Sequence, residues 1–187
     1  MPETPLRSLL GIDLPIIQAP MAGVQGSALA AAVSNAGGLP QVLRAVPCPV
    51  IAAGGIADAD GVAAALALGA TAVQLGTSFL LCDEATTPAL HRAALQQPGA
   101  THTALTNVFT DRPARSIVNR VMTELGCLHP QAPPFPWAAN EIAALRAAAE
   151  ARGSADFSPL WAGQNTSGCQ AVPAAALLRQ LTQRGPA

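Results

Sequence analysis

Pro49-Val50-Ile51-Ala52-Ala53-Gly54-Gly55-Ile56, followed by Val73-Gln74-Leu75-Gly76-Thr77, decides how this chain folds. Each segment is a short run of apolar residues that ends on glycine. A continuous apolar run without alternation is the pattern of a strand buried on both faces of a parallel sheet. Between the two runs, Asp58 or Asp60 caps a helix through Leu68 that Gly69 closes. The order is therefore strand, loop, helix, strand, with Ala72–Leu75 as the second strand of a parallel pair. Glycine at the point where a buried strand gives way to a loop lets backbone N–H groups approach an anion with no Cβ in the way. The helix beginning near Asp58 directs its positive end towards the same loop. Tight turns alone also use glycine here. Two consecutive strand ends of this kind, the second carrying Thr77, match the phosphate site formed after the last two strands of a (β/α)8 barrel.

Working outward, Pro15–Ala19 reads as a buried strand stopped by Pro20, whose Pro20-Met21 pair offers a flat apolar surface to a planar ring. Ser27 caps a helix through about Ala36, which Gly37-Gly38 ends. Downstream, helical patterns fall near Thr87–Gln96, Ala114–Leu125, Ala138–Ala151 and Pro173–Gln183, and Pro-rich Gln131–Pro136 reads as an extended connector. Repeated strand–loop–helix units give an α/β class with parallel strands.

Composition narrows the function. The chain has 187 residues, half of them hydrophobic, with 11% charged and a formal net charge of -1. That balance gives no electrostatic reason to expect nucleic acid or an anionic membrane as partner. All ten basic residues are Arg, which removes Lys Schiff-base chemistry and a P-loop Lys. Mean hydropathy is +0.34, yet the apolar runs around Val62–Leu68 and Val73–Leu81 are broken by Gly69, Gly76 and Thr77. Neither reaches the roughly 18 to 20 residues of a spanning helix. With no signal-peptide pattern at the N-terminus, a cytoplasmic location is expected. Cys48, Cys82, Cys127 and Cys169 lack metal-ligand spacing, so no metal site is expected. His91, His102 and His129 read as exposed or capping residues, Asp58 and Asp60 as helix caps, and Arg112 and Arg115 as solvated or helix-contacting.

Six segments together resemble the nitronate monooxygenase family (formerly 2-nitropropane dioxygenase) of FMN-dependent TIM-barrel enzymes. They are Pro15–Gly23, Ala31–Gly38, Pro49–Ile56, Gln74–Thr77, Pro113–Asn119 and Trp161–Gln164. The resemblance implies FMN as cofactor, with Ala19, Pro20 and Met21 along the flavin ring. It implies Gly54, Gly55, Gln74, Leu75, Gly76 and Thr77 around the FMN phosphate, and Gln164 on the flavin side. The implied activity is oxidation of alkyl nitronates by O2 to a carbonyl compound and nitrite. The FMN-dependent enoyl-acyl carrier protein reductases are similar and carry comparable loops.

A (β/α)8 barrel takes about 250 residues, and this chain has 187. In the family's terms Gly37-Gly38-Leu39 starts the second strand, while Pro40-Gln41-Val42 already resembles the approach to the seventh. A junction is therefore expected near Leu39-Pro40, with the intervening strands and the family's catalytic His absent; no residue here is assigned as catalytic. The expectation is a single domain of incomplete TIM-barrel-derived fold. Residues 1–39 are the first βα unit, 40–83 the last two, and 84–187 a mostly helical portion. Its open sheet has three to four strands, the first pairing with the seventh or eighth. Exposed sheet edges invite homo-oligomers. The alternative is a non-catalytic remnant with weak or no FMN binding.

Overall fold

The computed structural model describes residues 16–18 and 38–183. The described elements begin with β1 (Ile16–Gln18), α1 (Gly38–Ala45), β2 (Ile51–Ala53), α2 (Ala59–Ala67) and β3 (Ala72–Leu75), followed by a 3-10 turn at Thr77–Leu81. Then come α3 (Ala89–Leu95), a second 3-10 turn at Pro98–Thr101, β4 (Thr103–Thr106), β5 (Ala114–Ile117), α4 (Arg120–Leu125), α5 (Trp137–Glu150) and α6 (Ala174–Thr182). They divide into two compact units. The first holds the described residues up to 85 together with 167–183, and the second holds 86–166.

The first unit is built on a three-stranded parallel sheet of order β1-β3-β2. As the sequence predicts, the first strand lies beside the third, with Ile16 opposite Val73 and Gln18 opposite Leu75. Val73 and Leu75, on the central strand, are buried on one face of the pleat and Ala72 on the other. β2 departs from the expectation of a buried strand: it lies at an edge of this sheet, and Ile51 is 37% exposed. α2 forms as read. Its N-cap is Asp58, whose carboxylate accepts the Gly61 N–H at 2.8 Å. At its other end Gly69 adopts φ +107°. There the Gly69 N–H bonds the Leu66 carbonyl and the Ala70 N–H the Ala65 carbonyl, a Schellman closure. The apolar faces of α2 and α6 meet over β3, where Val62, Ala65, Val73, Leu75, Phe79, Leu177 and Leu181 make the core.

Around the expected junction at Leu39-Pro40, where the family's second strand would start, Gly38–Ala45 is helical. Leu39, Val42 and Leu43 recur at helical spacing, Leu39 packs against the core, and Pro40 falls in the first turn, where its missing N–H costs nothing. The helix predicted for Ser27–Ala36 lies outside the described residues.

The second unit corrects the helical reading of this part of the chain. Ala114–Ile117, expected to open a helix, is strand β5, paired antiparallel with β4 from Thr103↔Ile117 to Thr106↔Ala114. Asp111, at φ 62°, turns the chain back between them. A second partner holds β5 on its other side: the Ile117 N–H bonds the Leu160 carbonyl at 2.9 Å and the Ala162 N–H bonds the Arg115 carbonyl at 3.1 Å. Backbone pairing on both sides overrides the local helical pattern, and the helix begins only at Arg120. Val108, Phe109, Val121 and Met122 form this unit's core, with Trp161 edge-on to Phe109 at 5.5 Å. Among the described residues no helix is long and apolar enough to cross a membrane.

Candidate functional site

The register of the sheet brings the glycine loops to one end. Ala53 stands opposite Gln74 and Gln18 opposite Leu75, so all three parallel strands finish within a residue of the same level. Gly54-Gly55 leaves β2 there and Gly76-Thr77 leaves β3. Gly54 and Gly55 adopt φ +95° and +74°, a region closed to ordinary side chains. An ideal Cβ built on either would meet no atom within 4 Å, so the loop has open space above it. Gln74, Gly76 and Thr77 are half-buried beside it. Leu75 is 1% exposed and points into the core, leaving only its backbone to face a ligand. Ala19, Pro20 and Met21 follow the end of β1 and lie outside the described residues, and Gln164 is exposed in the second unit.

One sequence expectation changes in detail. The N-terminus of α2 is already met by negative charge: the Asp58 carboxylate takes the Gly61 N–H, and Asp60 adds a second negative charge in the first turn. What this end of the sheet can offer an anion is therefore the backbone of the glycine loops.

Sequence reading missed the segment that packs against these loops. Gly168 is buried, and a Cβ on it would overlap the Ala57 carbonyl oxygen and lie 2.8 Å from Ser78 Oγ. Ala57 follows the first glycine pair and Ser78 follows Thr77, so glycine at 168 lets one segment touch both loops. Beside it, Cys169 Sγ donates to the Thr77 carbonyl at 3.0 Å. Nothing in the local sequence of Ser167-Gly168-Cys169 signals this, since the partners lie far earlier in the chain, Thr77 92 positions before Cys169.

The sequence profile described as nitronate monooxygenase matches residues 39–184. The chain belongs to this family. It is 46% identical to a nitronate monooxygenase of Pseudomonas aeruginosa over 136 residues, covering 72% of this chain and 39% of that protein. It is 37% identical to a probable nitronate monooxygenase of Bacillus subtilis, covering 97% of this chain and 54% of the relative. Among solved structures, the nitroalkane oxidase of Streptomyces ansochromogenes superposes with a TM-score of 0.70 at 39% identity, over 93% of this chain and 52% of that one. The chain thus spans about half the length of the relatives it matches.

Two further segments resembling the nitronate monooxygenase family, Pro113–Asn119 and Trp161–Gln164, meet in the second unit through the Ser116↔Trp161 bridge. Asn119 Nδ2 extends this junction by donating to the carbonyls of Ala155 and Ser158 at 3.0 and 2.9 Å. Arg115 is half-buried and donates to the Thr103 carbonyl at 3.0 Å, while exposed Arg112 stacks over Phe135 at 4.1 Å.

All three histidines lie in this second unit. His102 is exposed, and His129 Nδ1 accepts the Gln131 N–H at 3.2 Å, a capping contact. His91 corrects the expectation of an exposed residue. It faces inward from α3 at 7% exposure, hydrogen-bonded to the Trp161 backbone and with Nε2 unpartnered. Burial holds the imidazole below its ordinary value, partly opposed by the Trp161 hydrogen bond. Unfolding then takes up a proton as pH falls through about 6.5 towards the lower folded value, so stability is full above that window and declines within it. His91→Gln is expected to flatten this acid limb, read as the pH dependence of the denaturation midpoint; an unchanged slope would contradict it.

Proposed function

We propose that the chain binds FMN through its phosphate and acts as a flavin-dependent oxidoreductase on alkyl nitronates, with O2 as the second substrate. The observation that carries the reading is the convergence of Gly54-Gly55 and Gly76-Thr77 at the ends of adjacent parallel strands. Two consecutive positive-φ glycines with open space above them fit a phosphate, which a Cβ would obstruct. Gly54, Gly55, Gly76 and Thr77 would hold it by backbone groups, since no Arg or Lys occurs between Arg44 and Arg92. Ala19, Pro20, Met21 and Gln164 remain the residues proposed for the ring. FMN supplies the electron-accepting and O2-reacting chemistry.

What the chain itself contributes is position. The first unit contains no histidine, so it brings no imidazole base of its own to the glycine loops. A nitronate needs none, because it is already the deprotonated form of a nitroalkane. The proposal is therefore specific: turnover of nitronates and not of neutral nitroalkanes. The same absence supports a second reading as a non-catalytic relative.

Titration of the chain with FMN, using riboflavin as the phosphate-free control, tests the proposal. Saturable binding with FMN preferred by about tenfold or more is expected, the worth of one charged hydrogen bond, followed by oxygen consumption with nitronate. Equal binding of both flavins would refute the phosphate site, and FMN binding without nitronate turnover would favour the second reading.

A further inference from the structure

We infer that Cys169 is a positioning residue for the phosphate loop: its thiol, donating to the Thr77 carbonyl, reinforces the orientation that the 3-10 turn Thr77–Leu81 gives the Thr77–Ser78 peptide beside the proposed anion. The inference deepens the FMN reading and rests on it. The peptide group is planar and trans, so its carbonyl and the following N–H point in opposite directions. With the Thr77 carbonyl turned onto Cys169 Sγ at 3.0 Å, the Ser78 N–H is directed away from the Cys169 segment. The Phe79 N–H bonds the Gly76 carbonyl at 3.0 Å and holds the next peptide of the same turn.

The thiol can make this contact only because the residue before it is Gly168. Any Cβ there would run into Ala57 and Ser78 and push the segment off the loops. Val172 continues the attachment, its carbonyl accepting the Asp83 N–H at 3.2 Å, and Glu84 Oε2 accepts the Ala174 N–H at 2.9 Å. Cys169 therefore comes from a segment anchored at several points, and a donor fixed in this way orients its acceptor. Burial, with the Cys82 thiol as a second cause, pushes the Cys169 thiol up to about 11, so it stays protonated and remains a donor at neutral pH.

The experiment compares Cys169→Ala and Cys169→Ser with the unaltered chain in two readouts. The first is the ratio of FMN to riboflavin dissociation constants. Cys169→Ala is expected to weaken FMN about fivefold, the worth of one ordinary hydrogen bond, while riboflavin is unaffected; Cys169→Ser, which keeps an O–H donor, restores the ratio. The second needs no flavin: amide hydrogen exchange across residues 76–79 of the free chain is expected to speed up in Cys169→Ala and return in Cys169→Ser. If the unaltered chain prefers FMN and Cys169→Ala keeps the same ratio, the positioning role is overturned and the FMN reading stands. If Cys169→Ala weakens both flavins equally, the residue is only structural and the inference is likewise overturned. If the unaltered chain shows no preference for FMN, both fall together.

Discussion

Gly168→Ala is expected to destabilise the first unit by about 3 kcal/mol, at the upper end of the usual cost of forcing an extra methyl into a packed site. Three atoms stand in the way of that methyl: the Ala57 carbonyl oxygen, Ser78 Oγ at 2.8 Å and the Ala57 Cβ at 2.9 Å. Ser78 Oγ can rotate aside. The Ala57 carbonyl cannot, because it is backbone immediately before the Asp58 cap of α2, and moving it disturbs the hydrogen bond to Gly61. The displaced loop is the one that carries Gly54 and Gly55, so FMN binding is expected to fall along with stability. Denaturant titration followed by far-ultraviolet circular dichroism measures the first effect. An unchanged midpoint would mean that residues 167–169 are not seated against these loops in solution.

Leu177→Ala is expected to cost about 2–5 kcal/mol, the range for a large core residue truncated to alanine. Leu177 is 1% exposed and lies with Leu181 on the face of α6 that packs against α2. Truncation leaves a cavity next to Val62, Val73 and Leu75, whose positions are fixed by helix and strand and cannot collapse into it. Leu145→Ala serves as the control. Leu145 is 47% exposed on α5, and its loss should change stability by no more than about 0.5 kcal/mol. Both tryptophans, Trp137 and Trp161, belong to the second unit. Tryptophan fluorescence therefore follows that unit alone, and the Leu177→Ala effect must be read by circular dichroism. Equal midpoints for the two variants would contradict the packing of α6 onto the sheet.

What the sequence made legible is what local chemistry determines. Asp58 before an apolar helix and Gly69 after it specify α2 within a few residues of chain, and Ala72–Leu75 is recognisable because a central parallel strand is apolar on both faces. The glycine loops are legible for the same reason, since their meaning lies in the dipeptide and the strand before it. Ala114–Ile117 was not legible: its strand character comes from Thr103–Thr106 on one side and the Leu160 region on the other, and its own residues suggest a helix. His91 was misread because burial depends on what covers α3. Gly168 and Cys169 carry no local signal at all, because their partners Ala57 and Thr77 lie in a different part of the sequence.

The division of the first unit's core between residues before 86 and residues after 166 has a consequence for how the protein is made. During translation the second unit's described stretch emerges uninterrupted, with its own apolar cluster of Val108, Phe109, Val121 and Met122. The sheet of the first unit is already outside the ribosome by then, but Val62, Val73 and Leu75 wait for Leu177 and Leu181, which are added only after all of residues 86–166. Closing so long a loop carries an entropic cost that grows slowly with its length, and until it closes an apolar sheet face stays open to other chains. The interval between synthesis of Leu75 and of Leu181 is thus a period in which this core lacks its last side chains and its apolar surface is open to aggregation.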